Sequence, residues 1–220
     1  MELMPSDEIY RERKRFFNDH AKKWAETWRR DRAPGSDGKH GKDFERLFAF
    51  LPLKPGDHVL DAGCGTGVLV PYILERITST GLLYELDYAE RMIAANKALH
   101  GQGNIRFIVS DVEKTRLEGA SCDAVICFSS FPHFHDREKA ASALSRVLKP
   151  QGVLALSHFG SSEGVNRHHG ACHAVMHDLL PGEPSMRALL GRAGLDVDLF
   201  IDEPGFYFLL CKRRYAEDLP

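Results

Sequence analysis

The sequence predicts an α/β fold: a doubly wound, mostly parallel seven-stranded sheet with an antiparallel last strand, preceded by a helical segment. Three observations predict it. Seven short apolar runs are separated, through most of the chain, by stretches with helical apolar spacing, the alternation expected of a parallel sheet covered on both faces. The first run, His58-Val59-Leu60-Asp61-Ala62, opens directly into Gly63-Cys64-Gly65-Thr66-Gly67, a tight strand-to-helix turn. The last two runs, residues 195–201 and 206–211, are parted by Pro204-Gly205 and read as a hairpin, so the final strand runs against the others.

Each element has its own warrant. Residues 5–33 mix charges with Tyr10, Phe16, Phe17, Trp24 and Trp28, and the intervals among Phe17, Trp24 and Trp28 predict one or two amphipathic helices. Pro34-Gly35-Ser36-Asp37-Gly38 breaks the pattern, and residues 44–51 resume it with Leu47, Phe48 and Leu51 on one face. Lys54-Pro55-Gly56-Asp57 is the turn that launches the first strand. Val70, Ile73, Leu74 and Ile77 then fall at i, i+3, i+4 and i+7, with Pro71 tolerated in the first turn of that helix.

Residues 82–86 form a second strand ending at Asp87, and Met92, Ala95 and Leu99 mark the next helix. Residues 105–109 are the third strand, and residues 124–128, apolar throughout, suit a central parallel strand. Ala140, Ala143, Leu144 and Val147 share a helical face, and the turn Lys149-Pro150-Gln151-Gly152 leads into a fifth strand at 153–157. A helix over 186–193 closes on Gly194. Segment 1–50 reads as an N-terminal helical cap and 51–220 as the sheet domain, together one structural unit.

The glycine turn narrows the ligand. Its spacing is G-x-G-x-G rather than the dinucleotide G-x-G-x-x-G, and Asp61 stands two residues before the first glycine. A carboxylate there repels a pyrophosphate and favours a cationic amino-acid group. These residues resemble motif I of the class I S-adenosylmethionine-dependent methyltransferases of the small-molecule type, and the resemblance spans roughly residues 16–212. It implies that Asp61, Gly63, Cys64, Gly65, Thr66 and Gly67 hold the methionine end of S-adenosylmethionine. Asp87, about twenty residues past the turn, stands where this architecture places an acid for ribose hydroxyls. The string from Glu85 to Met92 resembles motif II, with the acid at Asp87 followed by Tyr88 and with Glu85 the weaker alternative by register. Asp111 and Val112 resemble the pair that meets adenine, and Cys127-Phe128-Ser129 matches motif IV, the rim nearest the methionine portion. Asp87 and Asp111 also admit a structural reading as helix caps. The resemblance further implies a lid helix within 16–24, S-adenosylhomocysteine as product, and a small-molecule acceptor. Motif IV lacks the Asn-Pro-Pro-Tyr string that goes with amino-group methylation of nucleobases or glutamine.

Eleven histidines are unevenly placed. His133 follows the fourth strand and His158 the fifth, both on the rim of the ligand site, and His168, His169, His173 and His177 come soon after. His133, His158, His169 and His173 are therefore acceptor-site candidates. His169, His173 and His177, spaced i, i+4 and i+8, share a face if their helix is continuous, and imidazoles so placed suit zinc, nickel or cobalt. Gly170 and Pro181-Gly182 interrupt that pattern, and the competing reading is pocket-lining or surface histidines satisfied by water.

Composition sets the outer bounds. At 220 residues, 43% apolar and 27% charged, the chain suits one well-buried soluble domain. A net charge of -2 offers no footprint for nucleic acid, and no run reaches the length of a membrane span. Glu2, Asp7 and Glu8 precede any apolar run, so no signal peptide is expected and the location expected is cytoplasmic. Five cysteines without a C-x-x-C pair read as reduced thiols. Two rivals to a methyltransferase remain: a metal-handling or regulatory protein on the same fold using the 158–177 cluster, and a nicotinamide oxidoreductase, which the glycine spacing disfavours.

Overall fold

The computed structural model describes residues 6–31 and 40–214, with side chains for 7–27 and 40–214. The break at 34–38 and the side chain of Trp28 lie outside the described residues. In chain order the elements are α1 (Ser6–Asp31), α2 (Gly41–Ala49), β1 (His58–Ala62), α3 (Val70–Ile77), β2 (Leu82–Asp87), α4 (Glu90–His100), β3 (Ile105–Val109), β4 (Cys122–Phe128), α5 (Arg137–Val147), β5 (Leu148–His158), α6 (Ser162–Gly170), α7 (Glu183–Arg192), β6 (Leu195–Glu203) and β7 (Phe206–Arg213). Single 3-10 turns cover Val112–Lys114, Phe131–His133 and His173–Val175.

The seven strands form one sheet in the order β3-β2-β1-β4-β5-β7-β6. β1 pairs in parallel with β2 and β4, and β7 is antiparallel to both β5 and β6. Strand order reverses between β1 and β4. In an open α/β sheet that switch point opens a crevice at the carboxyl ends of the strands.

Alternation along each strand divides the core between two faces. Val59, Ala124 and Ile126 join α2 and α3 through Phe44, Leu47, Phe48, Val70, Ile73 and Ile77. Leu60, Val125 and Cys127 face the other way and join α5 and α7 through Leu144, Val147, Met186 and Leu190. Within segment 1–50 the two helices therefore differ. α2 buries its apolar face in the core, whereas α1 lies against α4 and reaches over the strand tips with Ala21, Phe17 and Trp24 packed on Ala89, Met92 and Tyr88.

One boundary moves. The turn expected at 149–152 is absorbed into β5, which begins at Leu148; the β4–β5 register shifts beside it, and Gln151 takes φ 64. Cys122 already pairs with Leu148 and the ladder resumes at Ala124 with Val153, so the Pro and Gly that suggested a loop lie in a bulge within the strand. All five cysteines are free thiols. Among the described residues no helix is long and apolar enough to cross a membrane.

Candidate functional site

A cavity of about 870 Å³ opens at the carboxyl ends of the parallel strands, under α1. Its floor is the glycine turn. Gly63, Gly65 and Gly67 adopt φ 75, 54 and 81, left-handed values that a side chain would strain. Gly63 N and Cys64 N both donate to the carbonyl of Leu86, at 2.7 and 3.0 Å, which pulls the turn across the end of β2. Asp87 closes it from the other side: Oδ2 accepts from Gly65 N at 2.9 Å and Oδ1 from Ala89 N at 2.8 Å. Asp87 thus joins the turn to the start of α4, although the N-cap position of that helix is Ala89. The carboxylate still faces the cavity and keeps lone pairs for a ligand hydroxyl.

Asp61, Glu85 and Asp87 make a buried acidic layer here. Both oxygens of Asp61 and one of Glu85 have no hydrogen-bond partner. Burial, then the nearby Asp87, raises the pKa of Asp61 to about 8. Burial, then Asp61, raises that of Glu85, although Asn96 Nδ2 donates to it at 2.5 Å. Asp87 is raised to about 6 by burial, opposed by the backbone donors of Ala89 and Gly65. A buried carboxylate without a partner is costly, and a cation would relieve it. The orphaned Asp61 beneath a glycine-rich turn therefore fits the amino-acid end of S-adenosylmethionine, and the Asp87 carboxylate fits its ribose.

Placement of the remaining residues is mixed. Gly63, Cys64, Gly65, Thr66, Asp87, Tyr88, Asp111, Val112, Phe128 and Ser129 all line the cavity. Asp61, Gly67 and Glu85 stand behind its wall. Asp111 accepts from Tyr10 Oη at 2.6 Å and from Lys114 Nζ at 2.8 Å. Burial pushes its pKa up, and these two donors outweigh that and hold it low. Ser129, a non-glycine at φ 51, ends β4 in a strained turn anchored by Ser129 N to Ser157 O at 2.8 Å.

The histidines part company. His133, His158 and His169 line the cavity; His173 and His177 do not. His158 is buried with Nε2 unpartnered, and burial, then the charges of His133 and His169, lowers its pKa to about 3. The expected shared face of His169, His173 and His177 does not form, because α6 ends at Gly170 and Cys172 is extended before the next short turn. His169 is buried, whereas His173 is exposed and pairs with Glu12 at 2.8 Å. Among the described residues no group of three or more His, Cys, Asp or Glu could hold a metal ion.

Several functional residues escaped the sequence reading. Tyr10 lines the cavity with Phe17 and Trp24, and their seven-residue spacing was the available signal. Arg13 and Asp178 form a buried ion pair at 2.9 Å. Nothing local to either residue marks it, since they are brought together only by closure of α1 over the site.

Comparison with known proteins follows this geometry. Residues 60–156 match the model of a methyltransferase-domain family. The nocamycin O-methyltransferase of Saccharothrix syringae is 30% identical over 135 residues, covering 58% of this chain and 48% of that protein. The malonyl-[acyl-carrier protein] O-methyltransferase of Acetivibrio thermocellus is 34% identical over 102 residues, 46% of this chain and 35% of that one. The chain spans about half the length, or less, of the curated relatives it matches. A Haloferax volcanii methyltransferase, solved in complex with the Trm112 methyltransferase activator, superposes with a TM-score of 0.72 at 21% identity, over 90% of this chain and 98% of its own. A SAM-dependent methyltransferase from Aquifex aeolicus gives 0.65 at 24% identity, over 77% and 88%. At these identities the structural likeness establishes the shared fold.

Proposed function

We propose that this chain is a class I S-adenosylmethionine-dependent methyltransferase, the reading supported by the methyltransferase-domain match over residues 60–156 and by the O-methyltransferase relatives, and that it methylates a small or medium-sized acceptor held beneath α1. The observation that carries this reading is Asp61, a buried carboxylate with both oxygens unpartnered under the glycine turn. When bound, S-adenosylmethionine supplies an activated methyl group on a sulfonium.

The residues of this chain bind, orient and exclude water. Asp61 balances the amino-acid cation, and the glycines at 63, 65 and 67 leave room for it. Asp87 accepts from the ribose hydroxyls. Asp111 and the backbone N–H of Val112 meet the adenine edge. Phe128 and Ser129, at the tip of β4, border the reacting end, and His133, His158 and His169 face the acceptor. Tyr10, Phe17 and Trp24 on α1 form the lid. Phe17 lies 5.1 Å from the His133 ring and 6.0 Å from Tyr88, so an aromatic seal covers both halves of the cavity. Holding an acceptor in line under that cover is the main contribution methyl transfer asks of a protein.

Calorimetry tests the reading. S-adenosylmethionine and S-adenosylhomocysteine should bind the full chain, and NAD should not. At pH 7 binding should release a proton, because Asp61 is protonated below about 8 when alone and ionised beside a cation. Repeating the titration in buffers of different ionisation heat measures that proton. Heat with NAD and none with either sulfur nucleoside, from folded protein, would end the proposal.

A further inference from the structure

Asp178 lies on the irregular chain between α6 and α7, 4% exposed, and three groups converge on it. Its Oδ1 pairs with Arg13 of α1 at 2.9 Å, and its Oδ2 meets Nδ1 of His133 at 2.7 Å. Its main-chain oxygen meets Nδ1 of His169 at 2.6 Å. Arg13 also donates to the carbonyl of His133 at 2.5 Å.

Carboxylate and carbonyl oxygens only accept. Both imidazoles must therefore carry a proton on Nδ1, which leaves Nε2 of each, when neutral, as a bare lone pair. The two rings are 4.9 Å apart and both line the cavity. One residue thus sets the tautomer of two histidines in the acceptor half of the site. They are not equivalent. Burial holds the pKa of His133 below the usual imidazole value and the Asp178 carboxylate partly offsets that, whereas His169 faces a neutral carbonyl. The titratable groups facing His133 include Asp178, Arg13, His169 and His158, with Phe17 edge-on at 5.1 Å. The charge of Arg13 is matched by Asp178, so nothing in this cluster offers an anionic acceptor a free cation.

We propose that Asp178 is a positioning residue that holds His133 and His169 as paired acceptors for a hydroxyl-bearing substrate, with His133 the general base. The inference rests on the methyl-transfer reading. In the step, the substrate O–H bond breaks, the proton forms an N–H bond at Nε2 of His133, and the electron pair stays on oxygen, raising its nucleophilicity. His169 Nε2 accepts a second hydrogen bond from the substrate. Arg13 ties the pair to α1, so the base is fully ordered only with the lid in place. The aromatic rings around it suit a planar apolar body carrying the hydroxyl.

The probe is 4-nitrocatechol, whose phenolate absorbs in the visible, added to the full chain saturated with S-adenosylhomocysteine. About one pH unit below its solution ionisation, the wild-type complex should show the phenolate band. His133→Gln should return that band to the level of the free phenol at the same pH, about a tenth ionised, a shift of about one pKa unit or more. Nitrogen-15 spectra of histidine-labelled protein, needing no substrate, should show Nδ1–H tautomers at His133 and His169. Asp178→Asn should disturb His133, and Asp178→Glu should restore it. No phenolate band in the wild type, an equal band in His133→Gln, or an Nε2–H tautomer at His133 overturns the proposal. Failure of S-adenosylhomocysteine to bind, measured first by calorimetry, instead removes the methyl-transfer reading beneath it.

Discussion

Replacing Asp61 by Asn is expected to stabilise the ligand-free protein at pH 8 while weakening S-adenosylmethionine about ten- to a hundredfold. Both effects come from one carboxylate. Its pKa rises from 3.8 to about 8 because it is buried and faces Asp87. A carboxyl raised on folding leaves stability whole below its unfolded pKa. As pH climbs from about 4 to about 8, the unfolded chain ionises first and the folded state loses ground. Asn keeps the shape and discards the charge, so this part of the pH dependence should vanish. The gain at pH 8 is about 1–3 kcal/mol, the usual cost of an unsatisfied buried polar group. Urea unfolding at pH 5 and pH 8 measures it. Wild type should be less stable at the higher pH, and the gap between the two proteins should narrow at the lower. Asp87, raised to about 6, adds a smaller loss between about 4 and 6 in both proteins. Identical unfolding curves at pH 8 would show that Asp61 is already satisfied and carries no waiting charge.

Gly63→Ala is expected to lower the melting temperature by on the order of 10 °C and to abolish cofactor binding. Two costs add. Residue 63 sits at φ 75, a left-handed conformation that costs a side-chain residue about 1–2 kcal/mol. A Cβ there would also collide with Cβ of Ser130 and lie 3.0 Å from its Oγ. Ser130 cannot simply move, because its Oγ donates to Ala62 O at 2.7 Å and the residue is buried. Such overpacking costs about 1–3 kcal/mol more. Thermal melts of Gly63→Ala beside Gly63→Ala/Ser130→Gly separate the two. The second change should recover the collision and leave the dihedral strain. Equal melts for Gly63→Ala and wild type would mean the turn is looser than its hydrogen bonds to Leu86 require.

The glycine turn was legible because its meaning is local: three alternate glycines, an apolar run before and a helical period after. Asp87 and Asp111 were legible for the same reason, each ending a short apolar run. The histidines show where that legibility stops. His169 and His173 are the same residue type four positions apart in the same cluster. One turn of backbone after Gly170 separates them, placing the first in the cavity wall and sending the second out to Glu12. Asp178 had no motif to announce it, yet it holds both His133 and His169.

By itself, then, the sequence determined the doubly wound sheet, the glycine turn at its switch point and the acids around it, since periodicity and dihedral demand act over a few residues. Only the tertiary structure decided which histidines line the cavity, which residue contacts two of them and that α1 rather than α2 covers them. Those outcomes depend on contacts such as Arg13 with His133, 120 residues apart, and these form only when α1 lies across the strand tips.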